Sequence, residues 1–382
     1  MKIGIDSHCL EGNRTGVGRY LSAILNEWKA EKSDHEFLLY FKNEIPKDFS
    51  FTEKGFASKL LPKVFGRNST ALFMHKALPD AVLTDRPDIM FFPEYIAPLT
   101  LTKPFVLTLH DIVYAARPEL HFWPSPLDHI LLTQVSKLSA KKASAILTPS
   151  EFVKKEIMRI WKVKENKIFV TREAAGEEFK PVKEQEKQQE LRLRYDIEDK
   201  FFFFVGSAFK RRHVRECMEA FMNIAVQHKN YQFLIAGSDR YGSHNELSGL
   251  AQSLNKALKR NAFIRKDFIE NKDLPGLYSS AHATIWLSEY EGFGLPPLES
   301  LACGTPVITN KAASLPEVVG DCAIFVEDIT DIRSIYNAMQ KTINDNEKMS
   351  ELNSCSVTQA EKFSWKDCAA QTLDILIGSS KL

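Results

Sequence analysis

Two glutamates eight residues apart, Glu291 and Glu299, bracket the turn Gly292-Phe293-Gly294-Leu295-Pro296-Pro297. Carboxylates accept hydrogen bonds from hydroxyls, and glycines let a backbone approach a ligand closely. Prolines suit the first turn of a helix, where amides have no intrahelical partner. Such a helix start offers free N–H groups and a positive dipole end, which together bind anions. The segment therefore reads as a loop and helix start that hold an anion, with one carboxylate suited to a sugar and the other to a ribose. Taken alone, the pair reads more readily as a solvated loop carboxylate and a complement to the helix dipole. The surrounding glycines and prolines favour the site.

A second constellation is Gly206-Ser207-Ala208-Phe209-Lys210-Arg211-Arg212-His213, three adjacent cations just past an apolar run. Arg211 and Arg212 could neutralise charge on a leaving group, each such donor contributing about 3–4 kcal/mol to a transition state. In the first half, Gly12-Asn13-Arg14-Thr15-Gly16-Val17-Gly18 superficially suggests a dinucleotide fingerprint. Its glycines come late after the strand and the third is missing, so a nicotinamide site does not fit. His110-Asp111 is a polar pair at the end of the run 104–109, where a histidine is more often structural than functional.

The elements that must position these residues are legible as short apolar runs separated by helix-sized stretches. Strands are expected at Ile3–Ile5, Phe37–Phe41, Ile89–Phe92, Phe105–Leu109, Ala145–Thr148 and Ile168–Thr171. A second series falls at Phe201–Val205, Phe233–Ala236, Ala283–Leu287, Pro306–Thr309 and Ala323–Val326. Strand–helix alternation of this kind builds doubly wound parallel sheets, whose ligands lie at the carboxyl ends of the strands. The expected fold class is thus α/β, with Rossmann-like domains at 1–180 and 200–362, a charged linker at 181–199, and an amphipathic helix in 363–382 free to pack on either domain. Both sets of strand ends are expected to face one cleft.

Glu291-Gly-Phe-Gly-Leu-Pro-Pro-Leu-Glu299, continued by Cys303-Gly304-Thr305-Pro306 and Ser314-Leu315-Pro316-Glu317, resembles the signature of the retaining glycosyltransferases of family 4, which have the GT-B architecture. The likeness extends to His110-Asp111, residues 148–152, 274–278 and 363–369, and so covers most of the chain. It implies a nucleotide-sugar donor and an acceptor hydroxyl on a glycan or lipid-linked glycan. In its terms Glu299 binds the ribose, Glu291 meets the donor sugar near its reacting carbon, and the amides of Phe293, Gly294 and Leu295 hold sugar and diphosphate. Gly206 and Ser207 line the donor site, and Arg212 aligns with a lysine that binds the diphosphate, with Arg211 beside it. Gly16 and Arg14 belong to a loop over the phosphates and acceptor, and His110 contacts the donor sugar. Two positions depart from the pattern: Ser207 replaces a frequent arginine, and Asp267 stands where a glycine near the base is usual. Retention of configuration follows from the likeness alone. The nucleotide sugar is the substrate, with a guanosine diphosphate mannosyl donor favoured by similarity, and no cofactor or metal is expected.

Rival readings remain on the same fold. A nucleotide-sugar epimerase or phosphorylase would use the same residues without transfer between sugars, and a non-catalytic nucleotide-sugar binder would release no nucleotide. Lysine plus arginine number 50 against 49 aspartates and glutamates, which removes the global field expected of a nucleic-acid binder. Six scattered cysteines speak against a disulfide framework or zinc site and for a reducing cytoplasm. No run approaches the roughly 18 apolar residues of a membrane span. Residues 56–76 mix Lys59, Lys63, Arg67 and Lys76 with Phe56, Leu60, Val64, Phe65 and Phe73. That mixture fits a half-buried helix or a peripheral contact with an anionic inner membrane face.

Overall fold

Strands with apolar residues at consecutive positions can be buried only where both sheet faces are covered, and the computed structural model shows that arrangement twice. It describes residues 1–381 apart from 13, 15, 32–33, 51–54, 68, 122–125, 199 and 241–245, with only the backbone of 126–128 and 131. Two units divide the chain: residues 1–173 with 364–382, and residues 174–363.

The first unit holds a seven-stranded parallel sheet of β1 (Lys2–Asp6), β2 (Glu36–Phe41), β3 (Phe56–Leu60), β4 (Ile89–Phe92), β5 (Phe105–Thr108), β6 (Ala145–Thr148) and β7 (Ile168–Val170), in the order β3-β2-β1-β4-β5-β6-β7. Alternation along β2 sends Phe37, Leu39 and Phe41 to one core and Leu38 and Tyr40 to the other. Helix Gly16–Ala30 buries Leu21, Ile24, Leu25 and Trp28, the spacing of one helical face. Trp28 stacks on Phe37 and donates its indole N–H to the carbonyl of Ala369 at 2.9 Å. That carbonyl belongs to helix Trp365–Ser379, which Ser364 caps and which adds Cys368, Ala369 and Leu376 to this unit's core.

The second unit holds a six-stranded parallel sheet in the order β12-β10-β8-β13-β14-β15. Its strands are β8 (Lys200–Val205), β10 (Tyr231–Ala236), β12 (Phe263–Lys266), β13 (Ala283–Ile285), β14 (Val307–Asn310) and β15 (Ala323–Val326). Two short strands, β9 (Ala208–Phe209) and β11 (Asp239–Arg240), pair beside it. The four phenylalanines of β8 alternate: Phe202 and Phe204 enter one core, Phe201 and Phe203 the other.

Four sequence expectations need correction. β3 and β12 were not foreseen; both are edge strands, carrying Lys59, Arg265 and Lys266, so continuous apolar character is not required of them. For the same reason residues 56–60 are strand and not helix. The stretch 181–199 is not a free linker, although Asp199 lies outside the described residues. Helix Gln185–Arg194 buries Leu191, and Tyr195 and Ile197 follow it into the second unit's core. Arg194 and the Tyr195 hydroxyl both donate to Asp273 at 2.7 Å, and the boundary falls after Glu173. Lastly, Cys322 and Cys355 form a disulfide, their Cα atoms 5.8 Å apart. Helix Asn346–Ala360 carries Cys355 to the start of β15 from 33 residues away, a separation that leaves no short-pair signature. Among the described residues no helix is long and apolar enough to cross a membrane.

Candidate active site

In the second sheet the winding reverses between β8 and β13, and the crevice beyond the carboxyl ends of such strands is where doubly wound sheets bind ligands. The basic turn follows β8 and the glutamate loop follows β13, so the topology brings the two constellations together. Gly206 is required where it stands: its φ is +140°, and a Cβ there would come within 2.9 Å of the Trp286 ring. Residues Lys210–Arg212 form one 3-10 turn, and the Glu289 amide donates to the Arg211 carbonyl at 2.9 Å, stitching turn to loop.

Arg212 and Glu291 are ion-paired. Arg212 Nε donates to Glu291 Oε1 at 3.0 Å, Nη2 reaches Oε2 at a looser 3.5 Å, and Nη1 donates to the Ser207 carbonyl at 2.7 Å. The guanidinium lies 4.2 Å from the Trp286 ring centroid, a cation–π contact that fixes its plane. Side-chain exposure is 12% for Arg212 and 11% for Glu291, so the pair is mostly shielded from water without being sealed off. Arg211 lies over Phe209 at 4.4 Å. His213 opens helix Val214–Gln227 and faces Glu289 at 3.3 Å and Glu216 at 3.6 Å. Burial disfavours its cation, but those two carboxylates outweigh it and raise the pKa above the ordinary histidine value.

The helix expected after the prolines is present as Leu295–Ala302, with Gly294 as its N-cap residue. Phe293 is buried edge-on against Phe363, and Leu295 is half-buried. Glu299 is only 2% exposed and accepts from the Tyr278 hydroxyl at 3.1 Å. The two glutamates therefore have different partners and different access to water. Three residues given no role in the sequence reading hold the loop. Asn310, at the end of β14, donates to and accepts from the backbone of Ser288, both at 2.9 Å. Ser314 donates to the carbonyls of Glu291 and Phe293 at 3.0 and 2.6 Å, and Trp286 is the platform under Arg212. Ser314 lay inside the recognised motif, but its partners only folding reveals.

In the first unit, His110 follows β5 and is largely buried. Its Nδ1 meets Glu173 Oε1 at 2.8 Å and its Nε2 meets the Pro93 carbonyl at 3.0 Å, with the Tyr20 ring edge-on at 4.7 Å. Acceptors at both nitrogens call for a doubly protonated ring. Burial opposes that charge, yet Glu173 prevails and the pKa is raised. Arg14 is tied to Asp48 and lies 4.8 Å from the Phe49 ring centroid, while its loop neighbours Asn13 and Thr15 lie outside the described residues. Gly16 starts helix Gly16–Ala30 with nothing within 4 Å of a would-be Cβ. Gly18 is the crowded one, since a Cβ there would sit 2.5 Å from the Cys9 carbonyl oxygen. Among the described residues no group of three or more His, Cys, Asp or Glu side chains is arranged to hold a metal.

Residues 14–172 match the family model described as Glycosyltransferase Family 4, and residues 184–355 match the model described as Glycosyl transferases group 1. The fold is shared with Anabaena HepE solved with UDP and glucose, at a TM-score of 0.75 and 15% identity over 98% of this chain and 99% of that one. WaaG, a glycosyltransferase involved in lipopolysaccharide biosynthesis, gives 0.74 at 14% identity over 99% of this chain and 100% of its own. The architecture is GT-B, as the sequence leads one to expect, and the chain is a glycosyltransferase. Among curated relatives, O-antigen chain mannosyltransferase B of Escherichia coli is 26% identical over 98% of this chain and 99% of its own length. Serotype-specific mannosyltransferase WbdA of Escherichia coli is 26% identical over 69% of this chain, which corresponds to 32% of that larger protein.

Proposed function

We propose that this glycosyltransferase moves mannose, with retention of configuration, from guanosine diphosphate mannose to a hydroxyl of a glycan or lipid-linked glycan. The observation that carries the reading is the Arg212–Glu291 pair at the switch point of the second sheet. A nucleoside diphosphate brings negative charge to the basic turn, and Arg212 can exchange its looser contact with Glu291 for a phosphate oxygen. Glu291 is then left to stabilise the positive charge that grows on the sugar as the glycosidic phosphate bond lengthens. Arg211, Arg212 and the amides of Phe293, Gly294 and Leu295, at the start of helix Leu295–Ala302, stabilise the departing diphosphate. No metal is invoked in this scheme, and Glu299 serves the ribose. The mannosyl and glycan parts rest on the names of the full-length and partial relatives.

Titration calorimetry with guanosine, uridine, adenosine and thymidine diphosphates tests the donor. Selective binding of guanosine diphosphate, followed by chelator-resistant mannosyl transfer to an oligomannoside, is the expected result. Preference for another base, or loss of turnover in chelator that manganese restores, would sink the corresponding part.

A peripheral site on the inner membrane face is part of the same proposal. Phe65 is 86% exposed between Lys63 and Arg67, a ring and two cations suited to an anionic lipid surface, although neighbouring Asn68 lies outside the described residues. Flotation with phosphatidylglycerol vesicles is expected to carry the protein, and Phe65→Ser to reduce that; no flotation ends the idea.

A further inference from the structure

The first sheet has its own switch point, between β1 and β4, and a second group of polar side chains lies just beyond those two strand ends. Asp6 ends β1 and is 1% exposed. His8 Nδ1 meets Asp6 Oδ1 at 2.8 Å, and His8 Nε2 meets Glu94 Oε2 at 3.6 Å. Glu94 follows β4, its side chain is 27% exposed, and it has no closer partner among the described residues. The Phe73 ring lies 5.6 Å from the imidazole, giving the group one apolar wall. Asp6, His8 and Glu94 do not belong to the donor site, and none of the three was marked in the sequence.

The hydrogen-bond inventory shows what this group lacks. Both imidazole nitrogens face carboxylates, and Asp6 with Glu94 raises the His8 pKa to about 9, so one N–H is bonded to Asp6 and the other is directed at Glu94, 3.6 Å away. Two other cations are felt in the group: Lys42 donates its ammonium to Thr70 at 2.9 Å, and His110, felt at Glu94, has both ring nitrogens on Glu173 and the Pro93 carbonyl. The unused capacity is of the accepting kind: Asp6 Oδ2 is buried with no partner at all, and Glu94 is held at 3.6 Å by one ring nitrogen. A buried carboxylate oxygen without a donor is costly, and a ligand or water that donates hydrogen bonds relieves it. Phosphate offers the group only further acceptors. A ring bearing several hydroxyls and an apolar face offers donors to the carboxylates and a partner for Phe73.

We propose that Asp6, His8 and Glu94 form a hydroxyl-recognising subsite for a neutral sugar, which, on the transferase reading above, is the terminal unit of the acceptor. Glu94 contacts the sugar directly. Asp6 Oδ2 accepts a further hydroxyl, while Asp6 Oδ1 holds the imidazole of His8 between the two carboxylates.

Saturation-transfer NMR on the full chain tests this, using methyl α-D-mannopyranoside, methyl α-D-glucopyranoside and mannose 6-phosphate as probes. A neutral glycoside is expected to receive saturation, mannose 6-phosphate to receive none, and Glu94→Ala to weaken binding about ten-fold. Asp6→Asn provides the second variant, its fold verified by thermal melting, and Glu94→Ala retains the test if Asp6→Asn does not fold. The inference is overturned by absence of saturation for both glycosides, by equal saturation of mannose 6-phosphate, or by wild-type binding in Glu94→Ala. Calorimetry with guanosine diphosphate on the same protein separates the two proposals. Glycoside binding without nucleotide binding would remove the donor reading and leave the subsite standing; the reverse would do the opposite.

Discussion

At the scale of single residues the ion pair of Arg212 and Glu291 joins side chains 79 positions apart, and it makes a definite prediction. In Glu291→Gln the arginine loses its anionic partner, so guanosine diphosphate should bind at least as tightly while turnover falls about 10²–10³-fold. Calorimetry and steady-state rates measure the two effects, and full activity in the variant would remove Glu291 from the mechanism. His8 supplies a second prediction, with a sign that can be worked out. Its folded pKa is raised to about 9, chiefly by Asp6 and against the pull of burial. The stabilisation is therefore fully present below the ordinary histidine value near 6.5 and is lost as pH rises through 9, amounting to about 3 kcal/mol. Proton NMR of the imidazole should show the late titration, and one near 6.5 would contradict the pairing. Glu291 and the glycines beside it were readable as chemistry because their residue types are unusual together. The identity of Arg212's partner was not, since nothing in a linear chain announces a contact across 79 residues.

At the scale of elements, the helix opening at Gly16 separates two kinds of glycine. A methyl group at Gly18 meets the Cys9 carbonyl oxygen, whereas one at Gly16 meets nothing. Gly18→Ala should cost about 2 kcal/mol in urea denaturation, and Gly16→Ala should leave stability within about 0.5 kcal/mol. If Gly16 admits a substrate phosphate, the same Gly16→Ala protein will show a raised donor KM at unchanged stability. Buried strands such as β8 and β10 were legible because burial on both faces forces unbroken apolar sequence. β3 and β12 escaped because an edge strand needs less apolar character and tolerates lysine and arginine. Helix Gln185–Arg194 escaped for a related reason: Leu191 is its one buried residue while Leu193 is exposed, and one buried leucine in a charged stretch makes no periodic pattern.

At the scale of the whole molecule, residues 174–363 form one contiguous unit with its own two cores, while the first unit is assembled from both ends of the chain. The fragment 174–363 should therefore fold alone and bind guanosine diphosphate with an affinity close to that of the intact chain. Circular dichroism and calorimetry on the purified fragment check both parts. The complementary truncation after Phe363 should lower the melting temperature of the first unit, since it exposes Trp28 and strips Cys368, Ala369 and Leu376 from the core.

The returning helix Trp365–Ser379 also bears on the order of events during synthesis. Domains generally fold in the order in which they leave the ribosome. Here residues 1–173 emerge first but lack the segment that covers Trp28, whereas residues 174–363 are complete as soon as they clear the exit tunnel. The later unit is thus able to reach its native state first. Meanwhile the earlier one presents an uncovered apolar face to chaperones until helix Trp365–Ser379 has been made, and arrest-peptide force profiling would register its final folding step only after residue 379 has emerged.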